Sequence, residues 1–141
     1  FQAGLSWECV LNKQEAFRRA FDDFDWDKVS AYDEARQAAL YADPGIIRNR
    51  RKIAAAVGNA AAFAAIRQEF GSFDSYLWQW TGGKTLVERG PTTSPLSDAI
   101  SKDLKKRGMK FVGSTIIYAY LQAVGVLYAH EPGCFLEKKC P

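Results

Sequence analysis

The chain has few cysteines and no uninterrupted apolar run that would span a membrane. Its 141 residues include only three cysteines, an odd number without the spacing of a disulfide framework, which favours a reducing compartment. The apolar segment 111–129 is broken by glycine and polar residues, so it predicts a buried helix. No signal peptide is recognisable. We therefore expect a cytoplasmic protein with no membrane partner.

A strong excess of one charge is also missing. The net charge of +3 is too small to indicate a polyanionic partner by itself. Its distribution is more informative, because basic residues concentrate at 48–52 and 102–110 whereas acidic residues concentrate at 15–34. This two-sided pattern fits one face that meets nucleic acid, although the plain alternative for 102–110 is a solvated helix face.

Helical patterns dominate, and no strand pattern of comparable strength is present. Apolar residues recur at helical spacing from Ile53 to about Phe70. The segment from about Ser114 to Tyr128 is apolar nearly all round, which predicts a central helix covered on every side. Short polar side chains are placed to cap helices, namely Ser6, Asp25, Asp33, Ser72 and Ser94. We predict one all-α domain over residues 1–141.

The stretch 43–52 joins two of these helical patterns. Its Asp-Pro-Gly sequence at 43–45 ends the first pattern, and the basic run 48–52 opens the second, which predicts two helices joined by a hairpin at about 33–66. The proline fixes one φ angle, and Gly45 permits a positive one. The free N–H groups of the second helix form an anion site, so the hairpin predicts a phosphate-backbone contact. The alternative is an ordinary turn between two helices.

Several short segments, read in order, carry a family resemblance. They are Gln2-Ala3-Gly4-Leu5-Ser6-Trp7, Gly45-Ile46-Ile47-Arg48, Lys52-Ile53, Gly58-Asn59-Ala60, Ser97-Asp98-Ala99, Ser101-Lys102, Leu104-Lys105-Lys106-Arg107-Gly108, Lys110-Phe111-Val112-Gly113, and finally His130 and Cys134. Together they span essentially the whole chain and resemble the DNA-3-methyladenine glycosylase I family of the helix-hairpin-helix superfamily. The resemblance implies a helix-hairpin-helix DNA glycosylase-like helical fold.

The resemblance also implies an activity, that of a monofunctional glycosylase in base excision repair. Such an enzyme hydrolyses the N-glycosidic bond of 3-methyladenine in DNA and leaves an abasic site. A base methylated at N3 is cationic while attached to the sugar and is already a good leaving group, so the protein mainly has to extrude it, recognise it and admit water. We expect a monomer of bacterial-type cytoplasmic location that acts on double-stranded DNA containing alkylated bases.

Three base-binding residues follow from the resemblance. Trp7 matches the family's pocket tryptophan and would stack on the extruded base, whereas from sequence alone a core tryptophan is the alternative. Phe111 and Ser114 lie in a matched loop that leads into the last helix. Phe111 is assigned to pocket or core without a choice between them, and Ser114 to a polar contact in the pocket.

The predicted DNA-binding residues form two groups, the first implied by the resemblance and the second drawn also from the basic hairpin. Gln2 and Leu5 match a loop that wedges into the duplex beside the extruded nucleotide. The hairpin supplies the remaining residues, which are Gly45, Ile46, Ile47, Arg48, Arg50 and Lys52.

No catalytic residue is assigned. In the family a glutamate lies just upstream of the segment that Gln2 matches, and an aromatic partner lies further toward the N-terminus; neither position falls within residues 1–141. With no initiating methionine, this predicts that the family's N-terminal part is missing and that the chain alone has severely reduced activity. Glu69 and Asp74 lie at loosely suitable distances from the hairpin for an assisting carboxylate, but we interpret both as surface residues.

His130 and Cys134 are candidate metal ligands. Two ligands are half of a tetrahedral zinc site, so an incidental pair is the alternative. The resemblance implies a Cys and a His near the N-terminus as the other half, and hence a structural zinc whose ligand set is incomplete in this chain. Cys140 is close enough in sequence to act as a substitute ligand.

Two further functions stay open from the sequence. One is a non-catalytic helix-hairpin-helix DNA-binding fragment, which would bind DNA with steep salt dependence and release no base. The other is a helical structural or interaction domain whose basic hairpin does not meet DNA.

Overall fold

The computed structural model describes residue 1 and residues 3–137. Two predictions, the wedge residue Gln2 and the substitute zinc ligand Cys140, lie outside these residues. The described part folds into the helices α1 (Trp7–Leu11), α2 (Gln14–Ala20), α3 (Trp26–Ser30), α4 (Glu34–Ala42), α5 (Arg50–Phe70), α6 (Phe73–Trp78), α7 (Pro95–Lys106) and α8 (Ser114–Ala123). Short 3-10 turns cover Asp22–Phe24 and Gln79–Thr81. The all-α prediction is confirmed.

A minor sheet was not predicted. The strands β1 (Leu86–Val87) and β2 (Leu127–Tyr128) pair in parallel, with Leu86 opposite Leu127. Each strand has only two residues. The pair joins the segment after α8 to the connection between α6 and α7, and the fold class is unchanged.

Most of the described helices begin where a short polar side chain accepts an otherwise unpaired N–H group, and α2 and α8 are the exceptions. The Asp33 carboxylate accepts the Arg36 N–H at 2.7 Å, and the Ser72 hydroxyl accepts the Ser75 N–H at 2.9 Å. Ser94 and Ser97 form a reciprocal capping box ahead of α7. The caps predicted at Ser6, Asp25, Asp33, Ser72 and Ser94 are confirmed.

Helix α5 runs through both halves of the core. Ile53 and Ala60 belong to a cluster formed with the preceding helices, and this cluster includes Phe21 and Leu40. Ile66 belongs to a second cluster formed with α6, α7 and α8. At 21 residues α5 is about 32 Å long. It therefore connects the hairpin to both core clusters.

Helix α8 is shorter than predicted. It ends at Ala123 and not near Tyr128. Gly125 follows with a φ of +82°, and the chain then leaves the helical path and enters β2. The apolar character of 124–128 therefore belongs to a turn and a strand, which composition alone does not distinguish from helix.

The prediction that α8 is covered on every side is also wrong. Ile117, Tyr118 and Leu121 are buried, whereas Tyr120 is 38% exposed. One face of the helix therefore borders an open cleft. No helix within the described ranges combines the length and the apolar character that crossing a bilayer requires.

Candidate functional site

A cleft of about 290 Å³ opens beside α5 and α8. Four segments line it: Phe1, Ala3 and Trp7 of the N-terminal segment; Lys52, Ala55, Ala56 and Asn59 of α5; Lys110 and Phe111 of the loop before α8; and Ile116, Ala119, Tyr120 and Ala123 of α8. Most of these side chains are apolar, and three carry large aromatic rings besides Phe1. The cleft therefore suits a flat, apolar-faced ligand.

Trp7 projects from the start of α1 into this cleft. The helix begins there because the Ser6 hydroxyl accepts the Cys9 N–H at 3.2 Å. Trp7 is 59% exposed, which excludes the core position that its residue type alone suggests. An exposed indole on a cleft wall presents a face on which a base can stack.

Phe111, in the loop between α7 and α8, lines the same cleft. It is 42% exposed, so of the two positions left open by the sequence, pocket and core, the structure favours the pocket. Its backbone has a φ of +59°, a conformation that non-glycine residues adopt rarely and mostly where function or tight packing requires it.

Asn59 holds the peptide next to Phe111, a role that the sequence does not reveal. Its side-chain Nδ2 donates to the Lys110 carbonyl at 2.9 Å, and its Oδ1 accepts the Lys110 N–H at 2.8 Å. In the sequence the residue stands out only as part of a matched segment. The seven-residue spacing from Lys52 places both residues on one face of a helix, but spacing does not show what that face borders.

Lys52 does not occupy the place predicted for it. It is 8% exposed, and its Nζ donates to the Phe1 carbonyl at 2.8 Å and also to the Ala3 carbonyl. The ammonium lies 5.8 Å from the centre of the Phe111 ring. The side chain is thus directed into the cleft and bound to the N-terminal segment, and this position does not support the DNA contact predicted for Lys52.

Ser114 and Leu5 lie outside the lining of the cleft. The Ser114 hydroxyl lies 2.7 Å from that of Ser97, a residue of the α7 capping box, so the first turn of α8 directs it toward α7. The prediction of a polar base contact from Ser114 is therefore not supported by its position. Leu5 is half-buried in the bend before α1.

The hairpin turn is built by side chains that bind its backbone. The Asp43 carboxylate accepts the Gly45 N–H at 2.7 Å, and Lys13 Nζ donates to the Gly45 carbonyl at 3.0 Å. Gly45 is not among the residues with positive φ; its constraint is steric, since a Cβ there would lie 3.0 Å from Asp43 Oδ1. The glycine therefore permits a close approach and not the predicted left-handed turn.

The hairpin side chains divide between core and surface. Ile46 is buried in the first core cluster, and Ile47 is half-buried against it, so only the backbone of Ile46 is left for the DNA contact predicted at this residue. Arg48 and Arg50 are exposed. Asn49 caps α5 by accepting the Lys52 N–H at 3.0 Å. The hairpin thus presents arginines at a helix start while its isoleucines anchor it.

Glu69 and Asp74 lie on the surface, as interpreted from the sequence. Hydrogen bonding to Arg107 lowers the pKa of Glu69, and Asp74 accepts the indole N–H of Trp78 at 3.0 Å. Among the described residues, none of those lining the cleft is a carboxylate.

Comparison with known proteins identifies the family. The model of the methyladenine glycosylase family matches residues 1–137 of the chain. The chain belongs to the methyladenine glycosylase family. This confirms the resemblance drawn from the short matched segments and adds that the match extends through nearly every residue.

Curated members of this family are similar over most of their length. The chain is 44% identical over 139 residues to DNA-3-methyladenine glycosylase 1 of Escherichia coli K12, an alignment covering 94% of this chain and 74% of that protein. It is 37% identical over 139 residues to the DNA-3-methyladenine glycosylase of Haemophilus influenzae, with 94% and 75% covered.

Solved structures of family members share the fold. The 3-methyladenine DNA glycosylase I of Staphylococcus aureus superimposes with a TM-score of 0.90 at 34% identity, covering 95% of this chain and 74% of that one. A variant of 3-methyladenine DNA glycosylase I solved in complex with 3-methyladenine gives the same TM-score and identity and covers 95% and 75%. The helical glycosylase fold of this family member is therefore established.

The candidate zinc ligands of this family member lie together near the end of the described chain. His130 Nδ1 and Cys134 Sγ are 3.5 Å apart. Zinc bonded to imidazole nitrogen and thiolate sulfur at tetrahedral angles holds those two atoms about 3.5 Å apart, so the pair has the spacing of two ligands. Within residues 1 and 3–137, no group of three or more metal-binding side chains is found.

The sequence did not single out the α8 side of the cleft in this glycosylase. Ile116, Ala119, Tyr120 and Ala123 follow the spacing of a single helix face. Core-facing residues of α8 follow the same spacing, so periodicity shows a face without showing what covers it. Burial raises the pKa of the Tyr120 hydroxyl above its ordinary value.

Proposed function

We propose that this chain is a DNA glycosylase that excises 3-methyladenine from alkylated DNA in base excision repair. The observation that carries the proposal is the cleft that Trp7 and Phe111 both line, within a member of the methyladenine glycosylase family. Two relatives named as DNA-3-methyladenine glycosylases support the substrate, as does a family structure described as a complex with 3-methyladenine.

The cleft recognises the base through its size and its aromatic faces. Its volume of about 290 Å³ lies just below the usual range for small-molecule pockets, roughly 300–1,000 Å³, which fits a single extruded base. 3-Methyladenine is cationic while attached to the sugar, and a cation is attracted to the faces of Trp7 and Phe111. The Lys52 ammonium opposes that attraction, but its charge is directed at two backbone carbonyls.

The bond chemistry needs little from the protein beyond placement. The electrons of the bond between sugar C1′ and base N9 go to the base, which leaves as neutral 3-methyladenine because it was cationic before. The oxygen of a water molecule bonds to C1′, the water loses a proton to solvent, and an abasic site remains. Extrusion and orientation then account for most of the required work.

The hairpin supplies the phosphate contacts that hold the DNA while the base is extruded. Arg48 and Arg50 are exposed at the start of α5, where free N–H groups and the helix dipole also favour a phosphate. Taking a base out of a duplex costs a few kcal/mol, which backbone contacts help to offset. We therefore propose double-stranded DNA as the substrate, with the segment that contains Gln2 and Leu5 entering the duplex beside the extruded nucleotide.

Release of the base from methylated duplex DNA tests this function. Because the resemblance implies a glutamate upstream of the segment that Gln2 matches, the assay uses the protein with its natural N-terminus beside residues 1–141. We expect the former to release 3-methyladenine, and binding to an abasic duplex to weaken steeply between two salt concentrations. Salt-dependent binding without release identifies the alternative, a non-catalytic DNA-binding fragment. Neither binding nor release would identify a helical interaction domain.

Two properties follow from the same proposal. The cleft needs no residue beyond these four segments of the chain, and we propose that the protein acts as a monomer. Cys9 and Cys134 are free thiols, and the proposed substrate is DNA, which supports a cytoplasmic location.

We also propose that His130 and Cys134 supply two ligands of a structural zinc. The 3.5 Å separation of their donor atoms supports it. Elemental analysis of the protein with its natural N-terminus should find one zinc per chain, lost in both His130→Ala and Cys134→Ser. The matched control Cys9→Ser should keep it, since Cys9 is a free thiol in α1. Wild-type protein without zinc, or variants that retain it, would contradict the proposal.

A further inference from the structure

The wall of the cleft at Phe111 depends on an unusual backbone conformation. Phe111 has a φ of +59° without being glycine, and its ring is half-exposed. A bulky residue in this region keeps its conformation only when its surroundings hold it there. The contacts of the two neighbouring peptides therefore decide where the ring lies.

Both neighbours of Phe111 are held by side chains of other helices. On one side, the Asn59 carboxamide of α5 makes two hydrogen bonds to the Lys110 backbone, at 2.9 and 2.8 Å. On the other side, the Ser101 hydroxyl of α7 donates to the Val112 carbonyl at 2.6 Å. Side chains thus hold the backbone on both sides of Phe111. Of the two, only Asn59 binds both the N–H and the carbonyl of one residue.

The bonds of Asn59 serve the cleft more than the stability of the fold. Lys110 is exposed, so water can replace the side chain as a partner of its N–H and carbonyl groups, and the loss to the folded state is small. Asn59 itself is only half-buried and lines the cleft. Replacing Asn59 should instead release the backbone of Lys110, whose position determines where the Phe111 ring lies.

We propose that Asn59 is a positioning residue that holds Phe111 in its left-handed conformation as a wall of the base-binding cleft. The inference rests on the proposed glycosylase function. It assigns Asn59 no contact with the reacting atoms; the residue acts through Phe111, which would face the extruded base.

A double-mutant cycle tests whether Asn59 acts through Phe111. Single-turnover release of 3-methyladenine is measured for wild type, Asn59→Ala, Phe111→Ala and the double variant, each with its natural N-terminus. Asn59→Ala should slow release about 10- to 100-fold, as small misplacements of a binding group do. In the Phe111→Ala background the same substitution should add nothing, because the group that it positions is gone. Independent, additive losses would overturn the inference.

Two further readouts separate positioning from general structure. Asn59→Asp keeps the acceptor for the Lys110 N–H and should restore part of the release rate. Binding to an abasic duplex and Tm should stay near wild type in Asn59→Ala, and an equal loss of binding would overturn the inference.

An NMR measurement keeps this inference separable from the proposed function. Backbone order parameters of residues 109–112 should fall in Asn59→Ala from about 0.85 toward 0.6 or lower. Unchanged values would overturn the inference whatever the activity. Lowered values in Asn59→Ala, beside a wild-type protein that releases no base, would support the hold of Asn59 on Phe111 and would refute the glycosylase.

Discussion

At the scale of single residues, Trp7 is exposed and Lys52 is buried, which reverses the usual distribution of these side chains. Both line the same cleft. An indole left in water and an ammonium taken out of it each cost stability unless function or specific contacts compensate. For Lys52 the contacts are the Phe1 and Ala3 carbonyls, and for Trp7 we infer that the compensation is the ligand.

Replacing Trp7 tests its role as the stacking face. Trp7→Ala should abolish the preference for alkylated over normal DNA and slow base release by about 10- to 100-fold, since stacking of one base contributes about 1–3 kcal/mol. Binding to an abasic duplex should change little, because the phosphate contacts that we propose lie on the hairpin.

The control for this prediction is Trp7→Phe, which keeps an aromatic face and should retain most of the discrimination. If Trp7→Ala instead loses release and abasic-site binding equally, together with a large fall in Tm, then Trp7 supports the fold and not the base.

The sequence predicted some of these residues better than others. Trp7 and Phe111 were identified through matched motifs, and the structure brings them together. Lys52 was assigned to DNA because it ends a basic run, and a run shows charge but not the direction of a side chain. Asn59 was missed because polar residues on an alanine-rich helix face carry no periodic signal of their own.

At the scale of elements, the basic side chains of the hairpin point in two directions. Arg48 and Arg50 face solvent, whereas Lys52, within the same basic run, points into the cleft. The backbone between α4 and α5 is held by Asp43 and Lys13, so the arginines are presented from a fixed turn.

Charge reversal in the hairpin tests its contact with DNA. Arg48→Glu combined with Arg50→Glu should weaken binding to all duplex sequences alike and reduce the slope of log affinity against log salt by about 2, because each phosphate contact contributes about 0.9. Titrations at several salt concentrations measure this slope.

Lys52→Met is the matched control within the same basic run. It should slow base release, because the N-terminal segment loses its brace, while the salt slope stays unchanged. A flattened slope in Lys52→Met would return that lysine to the DNA interface, and an unchanged slope in the arginine variant would remove the hairpin from it.

A second set of charges joins α5 to α7. The Arg107 guanidinium forms ion pairs with two carboxylates, with N···O distances of 2.5 Å to Glu69 and 2.7 Å to Asp103. Hydrogen bonding to Arg107 lowers the pKa of Glu69. Burial raises the pKa of Asp103, but hydrogen bonds from Arg107 and Tyr76 outweigh it and leave that pKa lowered as well. Both carboxylates are thus more easily ionised in the folded state than in the unfolded state.

The pH dependence of stability follows from the sign of these shifts. Lowered pKa values contribute stability above the ordinary values of 4.5 for Glu69 and 3.8 for Asp103, and the contribution is lost as pH falls through the lowered values. Arg107→Met should therefore lower the free energy of unfolding at about pH 7, and the difference from wild type should shrink toward about pH 3. Urea titrations at both pH values measure it, and a difference that grows in acid would contradict the assignment.

Most helices were predictable because their boundaries carry local chemistry. Ser94 and Pro95 define the start of α7, and Asp33 defines the start of α4. The end of α8 was not predictable, since pairing of β2 with the distant β1 overrides an apolar pattern that fits helix equally well.

At the scale of the whole molecule, α5 joins the two parts of the proposed activity. Its first residues belong to the hairpin, its next two turns line the cleft, and its later residues enter the second core cluster. Because one rigid helix carries both sites, the distance between the gripped phosphate and the base-binding cleft is set by the helix itself.

The most direct test of this account is a crystal structure of the protein with 3-methyladenine bound. The account predicts the base in the cleft of about 290 Å³, in contact with the rings of Trp7 and Phe111, and no ordered base at that site in Trp7→Ala. A base bound elsewhere on the molecule, or one held in the cleft equally well without the indole, would contradict it.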